Sequence, residues 1–494
     1  MMVIVISKLI GMLRDVVLAN YFGTTNISDA YLIASSVPVL LFYFIGHSLS
    51  TAYIPMYNKV KVKSGEQSAV YFSNNILNTA LILSTFIVII LLLFPNLVIK
   101  LFAAGFDYET ASIAARLIRI SAPSIYLMCI VHICGGYLQA NKSFLAPAAI
   151  SLPRNAAIVV SVILAASLGT DILGWGLLVS YFLEFLFLLP FVLKTGYRYR
   201  PVLNIKDEEL KHTFYIVMPI LLGVCVSQIN KIIDRSIAST VVVGGVSALS
   251  YASIVNNAVQ EVLVTGIITI LFSSCAELVA KGEHERIANK LSSTVNTMIF
   301  LLVPASVGIV VLSEPIVKLL LSRGSFDENS IAMTTGALSC YTVGLVFLAV
   351  RDTLVKVFYA YKETKITTIT SVIAILINII LNILLSVFMG INGLALATSI
   401  SAAVHCIVLY ILLRKKIGDF GLKGLMFTLV KALISSGVML LTVAGVFKAL
   451  SSVVPDIAVL LICVLTGAAV YFVCSFILYF RKVIDKFIKR NGEA

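Results

Sequence analysis

Charge is what this chain has least of. Lys, Arg, Asp and Glu make up only 12% of its 494 residues, against 60% apolar residues, and the mean hydropathy is +1.03. That scarcity excludes a soluble chain, because one of this length would split into domains with charged surfaces. The short alternating segments of a membrane β-barrel are missing as well. Cysteine is sparse and unpatterned. Cys129, Cys134, Cys225, Cys275, Cys340, Cys406, Cys463 and Cys474 all lie in apolar segments, none in a C-x-x-C or beside histidine at metal-ligand spacing, and they read as packing residues. No nucleophile–base set, metal cluster or phosphate loop appears. His47, His132 and His405 stand alone on apolar segments, so no enzyme is expected. The first apolar segment has no basic n-region or small-residue cleavage site, so no cleavable signal peptide is expected.

What the chain does have is apolar runs of about 20 residues, one after another. They predict an all-α polytopic membrane protein with fourteen transmembrane helices, over 2–22, 29–56, 71–99, 111–138, 145–168, 172–193, 213–238, 246–277, 292–317, 330–360, 366–389, 392–413, 424–447 and 456–480. Basic residues set the expected orientation. Of 37, one set of loops and the C-terminal tail hold 23, the opposite loops only Lys100, Lys318, Arg323 and Lys448, and ten lie within helices. This asymmetry predicts both termini in the cytoplasm. The net charge of +13 is then mainly topology and contact with anionic headgroups, not nucleic-acid binding.

The chain also repeats itself with a period near 220 residues. VIKLFAAGFD (98–107) matches IVKLLLSRGSFD (316–327), SDAYLIAS (28–35) matches VSALSYAS (246–253), and GYLQANKSF (136–144) sits where KVFYAYKETK (356–365) sits later. The expected organisation is two parallel-repeat six-helix lobes, 1–195 and 196–416, followed by two C-terminal helices and a basic tail in 417–494. Parallel lobes that rock against each other give alternating access.

The few charges inside the spans are the candidate site. SKLIGMLRDVVLANYFG (7–23) is long enough to cross a bilayer, yet it carries Lys8, Arg14 and Asp15, each costly there. Span 7, its repeat partner, carries Asp234 and Arg235. One reading is structural ion pairing between helices. The other is that the first helix of each lobe lines a cavity whose cations bind an anionic substrate, phosphate above all, because Arg presents it a planar fork of donors. Asn378 and Asn382 lie i,i+4 on span 11, and Thr398 lies on span 12. With Asp234 they offer one carboxylate and neutral oxygens suited to a monovalent cation; the alternative is hydrogen bonding that packs the bundle.

SKLIGMLRDVVLANYFG, SDAYLIASSVP and GHSLSTAYIPMYN resemble the start of the MurJ/MviN family of lipid II flippases, in the multidrug/oligosaccharidyl-lipid/polysaccharide exporter superfamily. RGSFDENS, RDTLVKVFYAYKETK and GINGLALATS resemble its second lobe. The resemblance spans nearly the whole chain. It implies a non-enzymatic flippase of the bacterial plasma membrane. Such a protein carries undecaprenyl-pyrophosphate-linked disaccharide-pentapeptide to the outer leaflet for peptidoglycan synthesis, and so serves cell-wall biogenesis and cell shape. It also implies a cationic cavity for the headgroup, a lipid-tail groove at helices 13 and 14, and membrane potential, with sodium in some members, as the drive; nothing in the residues indicates an obligate oligomer or a cofactor, so a monomer without cofactor is expected. Lys8 and Arg14 would face the cavity, and Asp29 matches another of its polar positions. Asp234, Asn378, Asn382 and Thr398 match a sodium site, with Asn382 standing for a carboxylate, and that change together with Lys231 weakens the case for sodium coupling.

The departures are specific. The family commonly has Arg at the position of Lys8. A typical member has Arg in a helix 8 motif like YANRL, where this chain has Ile254. Lys231 is expected either to restore that cation or to pair with Asp234 in place of sodium. The competing readings are a flippase of another undecaprenyl-pyrophosphate glycan, for capsule or exopolysaccharide, and a cation-coupled drug exporter.

Overall fold

Inside a bilayer, a helix satisfies its own backbone N–H and C=O groups. The computed structural model describes residues 2–43, 48–451 and 453–491, and every regular element among them is helical. The chain divides into two compact units, Met1–Ser247 with Arg323–Ser330, and Ala248–Ser322 with Ile331–Ala494.

The first unit holds α1 (Met2–Phe22), α2 (Asn26–Phe42), α3 (Ser48–Leu93), α4 (Pro95–Phe102), α5 (Tyr108–Ser121), α6 (Ser124–Ala140), α7 (Leu145–Ala149), α8 (Ser151–Leu168), α9 (Asp171–Lys194) and α10 (Glu208–Val241). Nearly all of the second is α11 (Gly245–Leu263), α12 (Thr265–Lys281), α13 (His284–Val311), α14 (Ser313–Leu321), α15 (Glu328–Val343), α16 (Leu345–Ala360), α17 (Thr364–Met389), α18 (Ile391–Ile417), α19 (Leu422–Leu450) and α20 (Asp456–Asn491).

Among the described residues, eight helices are long and apolar enough to cross a membrane, or eleven if each bent pair is one span. Fourteen spans need α1, α10 and the expected span 29–56 in addition; that span covers α2 and the start of α3, and its residues 44–47 lie outside the described residues. Two of these, α1 and α10, carry the charges that count against an apolar span.

Three expected straight spans are bent: α5/α6 by 48°, and α11/α12 and α15/α16 by 46° each. Pro123 stands between α5 and α6, where its missing N–H interrupts the ladder. α3 runs 46 residues but breaks at Gly65, whose φ of +84° is a conformation that side-chain-bearing residues avoid. Span 3, expected to reach residue 99, ends at Leu93, and Pro95 starts the separate short helix α4.

In the first unit α8 packs on α1 and α9, α2 on α5, and α3 on α6. α10, expected to open the second lobe, packs on α3 and α4 and groups with the first unit. The segment leading to it is tied to α3. Asn74 Nδ2 donates to Arg198 O at 3.1 Å, Asn75 Nδ2 to Asn204 O at 2.9 Å, and Asn78 Nδ2 to Val202 O at 2.8 Å. In the second unit α17 pairs with α18, and α19 packs on α13 and α20.

Candidate functional site

The first unit collects its intramembrane charges where α1, α8 and α9 meet. Arg14 Nε donates to Asp15 Oδ1 at 2.9 Å, and Nη2 lies 2.7 Å from the same oxygen. Its Nη1 donates to Asn155 Oδ1 on α8 at 3.3 Å. Asn155 is buried, and its amide donates to Ser7 O at 3.4 Å, so one side chain engages α1 at two levels a full turn and more apart. Gly11 lies between them, and a Cβ there would sit 3.5 Å from Asn155 Nδ2. This gives the charges on α1 a partial answer: Arg14 is neutralised by its neighbour and anchored by a buried amide.

The next residue on α8 is Arg154. Its Nη1 lies 3.2 Å from Glu184 Oε1 on α9, and its guanidinium sits 5.8 Å from the centroid of the Tyr181 ring. Glu184 is buried, while the Arg154 side chain keeps 31% of its exposure. Arg14, Asp15, Arg154 and Tyr181 all act electrostatically on the buried Tyr31 of α2, so these groups form one cluster. In the sequence Arg154 and Glu184 are two of the charges that fall within apolar spans. What it lacked was the register between spans 5 and 6 that makes them a pair. Asn155 gave no charge signal and was missed.

Lys8 is exposed on α1. Asp29, in the first turn of α2, is only 2% exposed. It accepts from Gly244 N at 2.8 Å, Ser247 N at 2.7 Å and Ser247 Oγ at 2.7 Å. An acidic side chain there completes the orphan N–H groups and positive end of α11. In this conformation Asp29 is committed to protein donors. Lys231 is exposed on α10 and makes no ion pair among the described residues. Asp234 accepts instead from Asn230 Nδ2 at 3.1 Å.

In the second unit, Asn382 Nδ2 donates to Asn378 Oδ1 at 3.1 Å, and Asn378 Nδ2 to Ser401 Oγ on α18 at 3.3 Å. Thr398 Oγ1 donates to Leu394 O at 3.1 Å, and Ser401 Oγ to Thr398 O at 3.0 Å. These three candidates share a neighbourhood in which hydrogen bonds join α17 to α18. Among the described residues no group of three or more His, Cys, Asp or Glu side chains could hold a metal ion.

The second unit also carries two apolar cavities. One, of about 650 Å³, lies among α13, α19 and α20 and is lined by Leu301, Pro304, Gly308, Val443, Gly467 and Tyr471. Another, of about 1140 Å³, is lined by Val303, Phe347 and Leu429, with Arg414 and Lys415 also on its wall.

Apolar helices, a guanidinium cluster among those of the first unit and apolar cavities in the second define a polytopic helical membrane protein. The fold agrees: a multidrug-resistance MATE family transporter of the MOP superfamily, inward-facing, superposes with TM-score 0.71 at 16% identity, over 84% of this chain and 95% of that one. The family model for lipid II flippase MurJ matches residues 18–465, and the chain belongs to that family. The lipid II flippase MurJ of Thermosipho africanus is 30% identical over 98% of this chain and 96% of its own. A solved structure of a lipid II flippase MurJ in an inward closed conformation is 28% identical, with TM-score 0.83 over 98% of this chain and 99% of that one.

Proposed function

We propose that this chain is a flippase that moves lipid II across the bacterial inner membrane for peptidoglycan synthesis. The observation that carries the reading is the Arg14–Asn155 and Arg154–Glu184 cluster. It keeps two guanidinium groups among helices whose surroundings would otherwise exclude them, and phosphate is the natural ligand of a guanidinium. The headgroup engages the first unit through Arg14 and Lys8. The polyprenyl tail occupies the apolar groove of the C-terminal segment, where α19 and α20 meet α13. The lobes of the sequence repeat, 1–195 and 196–416, alternate access, and both termini lie in the cytoplasm. The protein works as a monomer and makes and breaks no covalent bond. Its coupling ion is sodium, drawn by the hard oxygens of Asn378, Asn382 and Thr398 in the second unit. Lys231 carries the cation that Ile254 does not supply.

Complementation tests this. The resident flippase of a bacterium is depleted, the chain is expressed, and outer-leaflet lipid II is followed together with survival. Rescue by the wild type, and loss of it in a stably inserted Arg14→Ala, is the expected result. Failure of a well-inserted wild type would shift the substrate to another undecaprenyl-pyrophosphate glycan, which the change at Ile254 favours. Flipping that is unchanged when sodium is replaced by potassium would remove the coupling ion from the reading.

A further inference from the structure

The two arginines of the first unit differ in what they have left to give. Arg14 spends all three guanidinium nitrogens on Asp15 and Asn155. Arg154 spends none. Its approach to Glu184 at 3.2 Å is a charge contact without the alignment of a hydrogen bond, since Glu184 Oε1 has no hydrogen-bond partner. Tyr181 offers Arg154 a ring face rather than an acceptor. Arg154 therefore presents five N–H donors with no acceptor among the described residues, on a side chain that remains 31% exposed. Glu184 is 2% exposed and lies on the buried side of this contact, so the carboxylate holds the guanidinium from behind and leaves its outer edge open. An arginine held this way is preorganised for a planar, doubly charged oxygen ligand, because its orientation is fixed before the ligand arrives.

We propose that Arg154, fixed by Glu184 and laid against Tyr181, is the guanidinium that receives the phosphate groups of the transported headgroup. It is a substrate-binding residue, and Glu184 is its positioning residue. Arg14 adds its charge to the headgroup site while it joins α1 to α8, and the open fork lies one helix away from the charges that the sequence draws attention to. The inference rests on the flippase reading above, and it adds a cation from α8 to those of Lys8, Arg14 and Lys231. A diphosphate can engage two edges of one guanidinium, which a monophosphate does less well, so Arg154 also sets the preference for diphosphate-linked lipids.

The test is direct binding to the purified full chain in nanodiscs of zwitterionic lipid. The ligands are undecaprenyl diphosphate, undecaprenyl phosphate, undecaprenol and inorganic pyrophosphate. Arg154→Gln alone would strand the Glu184 charge and risks the fold, so the main variant is Arg154→Gln with Glu184→Gln, which removes both charges together. It is expected to bind undecaprenyl diphosphate about tenfold more weakly, while undecaprenol binding is unchanged. Arg154→Lys keeps the charge without the fork and is expected to lose most of the preference for diphosphate over monophosphate. Diphosphate binding equal to wild type in the double variant, or an intact preference in Arg154→Lys, would overturn the assignment and leave Arg154 a structural partner of Glu184. Wild-type protein that binds undecaprenol but no diphosphate lipid would instead overturn the flippase reading itself. Pyrophosphate that competes as well as the lipid would place recognition in the phosphates alone and still support Arg154.

Discussion

The loop after α4 and the loop after α14 are the same passage of sequence written twice, and the first unit uses each to grip the end of a helix. In the first, Gly105 lies against Ser239 and Thr240 of α10, and its N–H donates to Ser239 Oγ at 3.0 Å, with Ala104 N to Ser236 Oγ at 3.3 Å. In the second, Gly324 lies against Asn20 of α1, and Ser325 N donates to the Asn20 carbonyl at 2.8 Å. Each loop then ends in an aspartate that caps the next helix. Asp107 accepts from Thr110 N, and Asp327 from Ser330 N and Oγ. The two copies have kept the gesture and changed its chemistry. The first loop's N–H groups meet serine hydroxyls of the helix, whereas the second loop meets only backbone carbonyls of its helix, with Ser325 N donating to Asn20 O at 2.8 Å and the Ser325 hydroxyl to Tyr21 O at 3.0 Å. Side-chain substitution on the gripped helix therefore reaches the acceptor of the first grip and not that of the second.

The largest effect is expected where each loop touches its helix most closely. Gly324 has a φ of +58°, and a Cβ there would run into the Asn20 backbone. Gly324→Ala suffers both the backbone strain and the collision, a loss of about 3 kcal/mol. Gly105→Ala meets only the collision, with the backbone of Ser239 and Thr240, at about 2 kcal/mol. Thermal unfolding of the detergent-solubilised protein ranks the two. Equal losses would mean that the conformation of Gly324 is not what the second copy requires.

A smaller and more selective effect separates hydroxyl from backbone. Ser239→Ala removes the acceptor of Gly105 N–H and is expected to destabilise by about 1 kcal/mol. Asn20→Ala leaves the acceptor of the second loop in place and is expected to stay within about 0.5 kcal/mol. Hydrogen exchange at the Gly105 and Ser325 amides reads both outcomes locally. Ser239→Ala should speed exchange at Gly105, and Asn20→Ala should leave Ser325 protected. If Asn20→Ala speeds Ser325 as much, the contrast between the copies fails.

The repeat itself was legible in the sequence, because the matched strings stand at one offset. What they grip was not, since Ser236, Ser239 and Asn20 belong to helices distant in sequence and carry no pattern of their own. The same division runs through the fold. Apolar runs announced the helices, but not the bends of 46° and 48°, of which only the α5/α6 one has a proline, Pro123, at its break, and the grouping of α10 with α3 and α4 depends on tertiary contact. In the candidate site, Lys8 and Arg14 stood out as charges in an apolar helix. Arg154 and Glu184 stood out equally, yet 30 residues and a turn of chain lie between them. Only the interhelical register shows that one holds the other. Asn155, which anchors Arg14, is a single amide among apolar neighbours and looks like any packing residue.

The smallest expected effect sharpens the comparison at the caps. Both carboxylates sit below their ordinary pKa, Asp107 through hydrogen bonds from the Thr110 side chain and N–H, Asp327 through those from Ser330. A depressed folded value means that the cap stabilises fully above the ordinary carboxylate pKa, near 4, and fades as pH falls through the lower folded value. Asp107→Ala and Asp327→Ala are each expected to lose about 1 kcal/mol at neutral pH. Both losses should vanish in acid, where the wild-type carboxylates are protonated too. Both Asp327 donors are close, the Ser330 hydroxyl at 2.6 Å and the Ser330 N–H at 2.8 Å, whereas the Thr110 N–H reaches Asp107 at 3.1 Å. The Asp327→Ala difference should therefore persist to lower pH than the Asp107→Ala difference. Unfolding of wild type and both variants between neutral pH and pH about 2 checks the order. Simultaneous loss would mean that the serine hydroxyl adds nothing to the second cap and that the two copies differ only in how they grip, not in how they start the helix that follows.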